Sequence, residues 1–258
     1  MLKKARNGKA RSGLQTAANT PPPPPPPPQP PQSADATKDL NELAQYMATK
    51  GVKLDVASLS SLTFENVREA AQGMERIIDE FPQAKTHVGS MSLKAKRTKN
   101  GVLAQAGLYG DVTLSDHYYA KTEVQLAQTY DHSTKVGYHP AGTNKADIAT
   151  HEMGHVLEAA LVWKMVPGNS YWDRINRATA WKKCTYAAQI VSEACKAAKK
   201  TPAGKGMKNA QLISAVSQYA TMNKSETLAE CVADYTANGA NAKPLSVAVW
   251  NILKRELG

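Results

Sequence analysis

The chain has 258 residues, 42% of them hydrophobic, and a formal net charge of +10, which is enough apolar material for one sizeable domain or two small ones. Its three cysteines, Cys184, Cys195 and Cys231, are odd in number and lack CxxC spacing, so a disulfide scaffold is excluded and a reducing compartment is expected. No apolar run approaches a membrane span, and the basic start continues into Ser, Gly, Gln and Pro rather than an apolar signal core, so neither membrane insertion nor signal-peptide secretion is expected.

Residues 1–34 read as a basic, proline-rich tail. Lys3, Lys4, Arg6, Lys9 and Arg11 precede the first acid, Asp35, and carry half of the net charge of +10. Such an arm can make weak contact with nucleic acid or an anionic surface, or act as a disordered solubilising arm, the reading that charge patterning favours. Pro21 to Pro28 and Pro30-Pro31 predict a polyproline II rod. It is either a ligand for proline-reading domains or, the favoured reading, a spacer.

From Lys38 the pattern becomes globular. Leu40, Leu43, Ala44 and Met47 recur at helical spacing up to Lys50-Gly51, and Val67, Ala71, Met74, Ile77 and Ile78 form a second stripe ending at Phe81-Pro82. The period then changes. Val88, Met91, Leu93 and Ala95 predict a strand, Asn100-Gly101 a hairpin turn, and Val102 to Leu114 one or two further strands. Gly107 to Leu114 is the candidate exposed sheet edge, which can either take an extended chain as an added strand or be a structural hairpin without that role, the sequence favouring neither. A short helix is expected over Glu123 to Tyr130, and helical segments over Trp172 to Lys199 and Met207 to Met222.

The stretch that carries chemistry is His151-Glu152-Met153-Gly154-His155. Residues four apart share a helix face, so His151 and His155 can bind one metal ion, while Glu152 can act as general base on a metal-bound water. Asn144 and Asp147 can cap this helix. Its remaining residues are nearly all apolar, from Ile148 to Val162, which predicts a buried helix. Three buried polar groups without partners would be costly, and coordination of Zn²⁺ in a cleft resolves that cost.

A third ligand must come from elsewhere. Positions 158 and 161 are Glu and Leu, which excludes the long metzincin motif. A later helix is expected after Asn223, with Asn223 as its cap and Glu226 as the cap's partner. That leaves Glu230, one turn on and flanked by Leu228, Ala229, Cys231 and Val232, as the expected metal ligand. Asp234 shares its face and can orient a ligand imidazole. Asp173 and Glu193 are weaker ligand candidates.

This HExxH then ExxxD arrangement resembles the gluzincin branch of zinc peptidases. More closely, Tyr138-His139-Pro140-Ala141-Gly142-Thr143 before His151-Glu152-Met153-Gly154-His155, with Ser217-Gln218-Tyr219-Ala220 and Glu226-Thr227-Leu228-Ala229-Glu230 after it, resembles the zincin-like metallopeptidase domain of bacteriophage minor head (head-morphogenesis) proteins. Lethal-factor-like peptidases are more distantly similar. The resemblance spans about residues 36–258, with specific motifs in 136–163 and 217–238. It implies an α+β, mostly helical zincin-like domain over 35–258, with a small twisted antiparallel or mixed sheet beside the HExxH helix and a later glutamate helix. It also implies zinc on His151, His155 and Glu230, with Glu152 as base and Tyr219 as an oxyanion donor. The expected activity is zinc-dependent endopeptidase hydrolysis of a protein or peptide substrate, phage head proteins being the implied partners and host cytoplasm or virion the implied location. The alternative is a non-catalytic virion-associated protein with a vestigial or structural zinc site.

Overall fold

The computed structural model describes residues 31–258. The basic arm and all but the last residue of the expected proline rod lie outside the described residues. Ala34 is already buried, and its amide donates to Glu75 Oε2 at 3.1 Å, so the packed unit starts slightly ahead of the expected boundary.

Helix α1 (Leu40–Thr49) begins where Asp39 accepts the amides of Asn41 and Glu42, and buries Leu43, Tyr46 and Met47. It stops at Gly51, whose φ of +82° suits glycine best. Strand β1 (Val52–Leu54) and one-turn α2 (Val56–Leu59) lead to α3 (Phe64–Glu80). All five residues of the stripe expected in α3 are buried. Short α4 (Ala84–Val88) precedes β2 (Met91–Lys96), β3 (Ala104–Ala106) and β4 (Asp111–Ser115). One-turn α5 (Asp116–Tyr119) and α6 (Glu123–Lys135) follow, the latter opened by a reciprocal Thr122–Gln125 capping box.

The remainder is helical: α7 (Asp147–Met165), α8 (Tyr171–Lys182), α9 (Thr185–Ala198), α10 (Asn209–Ser214), α11 (Lys224–Asn238) and α12 (Pro244–Leu257). The fold is therefore α+β and mostly helical, with one small mixed sheet. Among the described residues no helix is long and apolar enough to cross a membrane.

The sheet order is β1-β2-β4-β3. β1, β2 and β4 run parallel, and β3 pairs antiparallel with β4 alone. Two sequence expectations are corrected here. Asn100-Gly101 does not close a hairpin between its flanking strands, because β4 inserts between β2 and β3. The hairpin turn instead lies at Gly107–Gly110, where the Gly107 amide donates to Asp111 O at 2.8 Å. The edge strands are β1 and β3, and the one packed on α7 is β3 rather than Gly107–Leu114. Val112 to Ser115 are all buried, which suits a strand paired on both sides.

Helix α7 runs through the centre, against α3, α4 and α11 and beneath β3 and β4. Met153, Val156, Leu157 and Leu161 are buried in it, each contributing about 1.5–3 kcal/mol by leaving water. The predicted Trp172–Lys199 segment is broken into α8 and α9 at Cys184, which adopts a left-handed φ of +50°. The corner before α8 is pinned by buried Arg177. Its Nη1 donates to Val166 O and Gly168 O at 2.9 and 2.7 Å, and its guanidinium lies 3.8 Å from the Trp163 ring centroid.

Candidate metal centre

Helices α7 and α11 pack backbone to backbone. A Cβ on Gly154 would lie 2.6 Å from Ala229 Cα, so glycine at the fourth position of HExxH is what lets the two helices close. They run in opposite directions: Ser225 lies against His155, and Glu230 against His151. This approach carries the carboxylates of α11 to the imidazoles of α7.

Three donor atoms converge there. Glu226 Oε2 is 3.1 Å from His151 Nε2 and 3.3 Å from His155 Nε2. The donor atoms of His151, His155 and Glu226 all lie within 4.8 Å of one another. Glu226 Oε2 is buried and has no aligned hydrogen-bond donor. An orphaned carboxylate oxygen between two imidazole nitrogens is costly without a cation, so the set fits a metal such as zinc with N, N, O ligation.

The carboxylate that the packing brings to the two Nε2 atoms is that of Glu226 rather than the expected Glu230. Asn223 does cap α11, its Oδ1 accepting the Glu226 amide at 2.9 Å. The reciprocal half of the box does not form, however, and the Glu226 carboxylate turns to the histidines. Glu230, fully buried, lies behind the centre. Its Oε1 is 2.8 Å from His151 Nδ1 and 3.1 Å from His139 Nδ1, and its Oε2 accepts from Ser217 Oγ at 2.7 Å. Burial pushes the Glu230 carboxyl upward most strongly, but its contacts with His139 and His151 prevail and hold it down at about 2. His151 Nδ1 is not aligned for a hydrogen bond with Glu230, but the carboxylate 2.8 Å away favours a proton on that nitrogen by charge alone, leaving the Nε2 lone pair for a cation.

Asp234 does not touch an imidazole. Its Oδ1 accepts from Asn238 Nδ2 at 2.8 Å and its Oδ2 from the Lys243 amide at 2.9 Å, so it fastens the turn between α11 and α12. The orienting role expected of it falls to Glu230 for His151 and to Ser225 for His155. Ser225 Oγ lies 2.9 Å from His155 Nδ1 and donates to the buried Glu158 carboxylate, so it accepts from the imidazole. Asp173 caps α8 and Glu193 pairs with Arg255; neither approaches the centre.

Glu152 is buried beside the triad, 6% exposed. Burial lifts its carboxyl above the ordinary value, against the pull of His151, His155 and the Ala106 amide. Tyr219 stacks on His151 with centroids 5.7 Å apart, and burial raises its phenol. The loops bearing Tyr138 and Tyr219 are tied together by Gln218 N to Gly137 O at 2.9 Å and Tyr219 N to Tyr138 O at 3.0 Å. Two runs eighty residues apart in sequence therefore meet at one wall.

Two cavities flank the centre. One of about 110 Å³ is walled by Leu103, Tyr130, Tyr138, His139 and Ile148 with His151 and Glu152. The other, about 370 Å³, opens past β3 toward Trp181, Lys182 and Cys184. Sequence reasoning gave His139, Ser217, Ser225 and Glu158 no role at the site. His139 and Ser217 lay within the quoted motif runs, whereas the contacts of Ser225 and Glu158 follow only from helix packing. No known family model matches the chain, and comparisons with curated proteins and with solved structures also find no match.

Proposed function

We propose that the protein is a zinc-dependent metalloendopeptidase with its catalytic centre at His151, His155, Glu226 and Glu152. The observation that carries this reading is the orphaned Glu226 oxygen facing two imidazole Nε2 atoms, with a second buried carboxylate, Glu152, alongside. A structural site would use four protein ligands, and among the described residues three converge. When bound, zinc would supply Lewis acidity and make water acidic enough to attack at neutral pH.

The chain's own groups then have distinct tasks. The edge of β3, where the Ala106 amide already reaches Glu152, offers its remaining backbone groups to an extended peptide, which would dock as a further strand. Its Ala104, Gln105 and Ala106 border the larger cavity. Glu152 removes a proton from the attacking water and delivers it to the leaving amine. Its raised pKa brings it nearer the pH at which a carboxylate can do both. The raised phenol of Tyr219 keeps its proton and can donate it in a hydrogen bond to a developing oxyanion. Ionised Glu230 and the Ser225–Glu158 pair fix the two ligand imidazoles. The resemblance to phage head-morphogenesis proteins makes a virion protein the first substrate to try.

The test is metal stoichiometry alongside cleavage of a peptide library. Wild type should bind one zinc and cleave, and Glu152→Gln should bind one zinc and fail to cleave. A Glu152→Gln protein that cleaves as well as wild type would sink the base assignment.

A further inference from the structure

The cleft is chemically lopsided. Opposite the small aromatic-walled cavity, the 370 Å³ cavity shares Cys184 and Asn223 with a neighbouring one of about 540 Å³ at the start of α11. Lys182 lines the first of these two, and Lys183 and Lys224 line the second. All three lysines are exposed.

Among the described residues none of the three forms an ion pair, a condition they share with most lysines of this basic chain, so what sets them apart is their grouping along these two cavities. The carboxylates lining these two cavities are Glu152 and Glu226, both engaged at the centre. Of the other acids on the helices around them, Asp173 caps the far end of α8, Glu193 of α9 pairs with Arg255, and Glu158 of α7 is buried and accepts from Ser225. Uncompensated positive charge along a cleft attracts anions from solution.

We propose that this side of the cleft selects acidic polypeptide, with Asp or Glu side chains of the substrate reaching Lys182, Lys183 and Lys224. The inference rests on the peptidase reading and adds a substrate class to it. The backbone edge of β3 favours a peptide over other polyanions, because strand addition needs the regularly spaced backbone amides and carbonyls of an extended polypeptide, a ladder that the sugar-phosphate backbone does not carry. Lysine on a flexible stem suits charges at varying positions rather than one fixed anion. An exposed ion pair contributes a factor of about 1.5 to 5, so three give roughly a tenfold preference, weakened by salt.

The experiment uses the zinc-loaded full chain and labelled peptides that share an apolar centre and carry three Glu, three Gln or three Lys on either flank. Cleavage gives kcat/KM, and fluorescence anisotropy on Glu152→Gln gives binding without turnover. The expected ranking is Glu over Gln over Lys by about tenfold at each end. It should collapse in 0.5 M salt and invert in the triple variant Lys182→Glu, Lys183→Glu, Lys224→Glu, whose melting temperature is checked first. Equal binding of the three peptides at low salt overturns the proposal even if all are cleaved. So does displacement of the Glu peptide by a lower concentration of single-stranded oligonucleotide. If no peptide is cleaved the peptidase reading fails, while the anisotropy ranking still decides the charge preference.

Discussion

Glu226 and Glu230 sit one turn apart on α11, and exchanging each for Gln separates their roles. Glu226 Oε2 faces the Nε2 atoms of both histidines at 3.1 and 3.3 Å. Glutamine there removes an anionic ligand and presents a neutral amide between two imidazoles. Loss of one of three protein ligands is expected to weaken zinc binding by a factor on the order of a thousand, about 4 kcal/mol. Glu230 touches His151 only at Nδ1, 2.8 Å away, and shares its charge with His139 and Ser217. Glutamine there can still offer its carbonyl oxygen to one imidazole, so the ligand remains but its orientation loosens. A change of this kind lowers metal affinity by about 10–100-fold, roughly 1.4–2.7 kcal/mol. The assay is competition with a chromophoric chelator of known affinity, after metal analysis and a circular-dichroism check of the fold. If Glu230→Gln loses zinc as completely as Glu226→Gln, or if Glu226→Gln retains it, the assignment of the third ligand is wrong.

Four further outcomes follow from the same geometry. Glu152→Gln should lower kcat by roughly 10²–10⁴ with zinc content unchanged, read by active-site titration beside metal analysis. Tyr219→Phe should lower kcat by about a hundredfold while melting temperature and zinc affinity stay put; an unaltered kcat would leave the ring as packing for His151. Gly154→Ala forces a Cβ to within 2.6 Å of Ala229 Cα and should destabilise the fold by about 1–3 kcal/mol. In a domain of this size that is a melting-temperature drop of roughly 2–12 °C, and a metal-free melting temperature equal to wild type would show that α7 and α11 do not close there. Zinc at a hundred times its dissociation constant should stabilise the protein by about 2.7 kcal/mol, and a chelator should reverse this. A zinc-indifferent melting temperature in a fully loaded sample would argue against binding to the folded chain.

Much of the fold was legible because its signals are local. The stripe of α3 and the apolar run of α7 depend only on spacing within one helix, and both are buried as read. The sheet was less legible because its order is not local. Asn100-Gly101 carries a sound turn signal, yet β4 comes between the strands on either side of it. The Gly107–Gly110 turn marks the hairpin that does form, but no local signal records that its second strand then pairs with β2. The α8–α9 break escaped for a related reason. Trp181 to Thr185 contain neither Gly nor Pro, and the chain turns by placing Cys184 in the left-handed region, a conformation few side chains favour.

The site shows where such reading stops. Helical period put Glu230 one turn beyond Glu226 on α11, and the capping pattern assigned Glu226 to Asn223. That assignment holds for the Glu226 amide and fails for its carboxylate, because a capping box joins two separable hydrogen bonds. Asn223 makes the one to the amide. Whether the glutamate returns the other depends on what else its side chain can reach. Here it reaches two imidazoles, since Gly154 allows α11 to approach α7 within backbone contact. In the register the two helices adopt, the first turn of α11, not the second, comes level with the Nε2 atoms. Glu230 is left at the back of His151, where Ser217 and His139 complete its shell. Gly154 inside the HExxH motif supplies the closeness and the register of α11 against α7 supplies the choice, and neither is written in the sequence of α11.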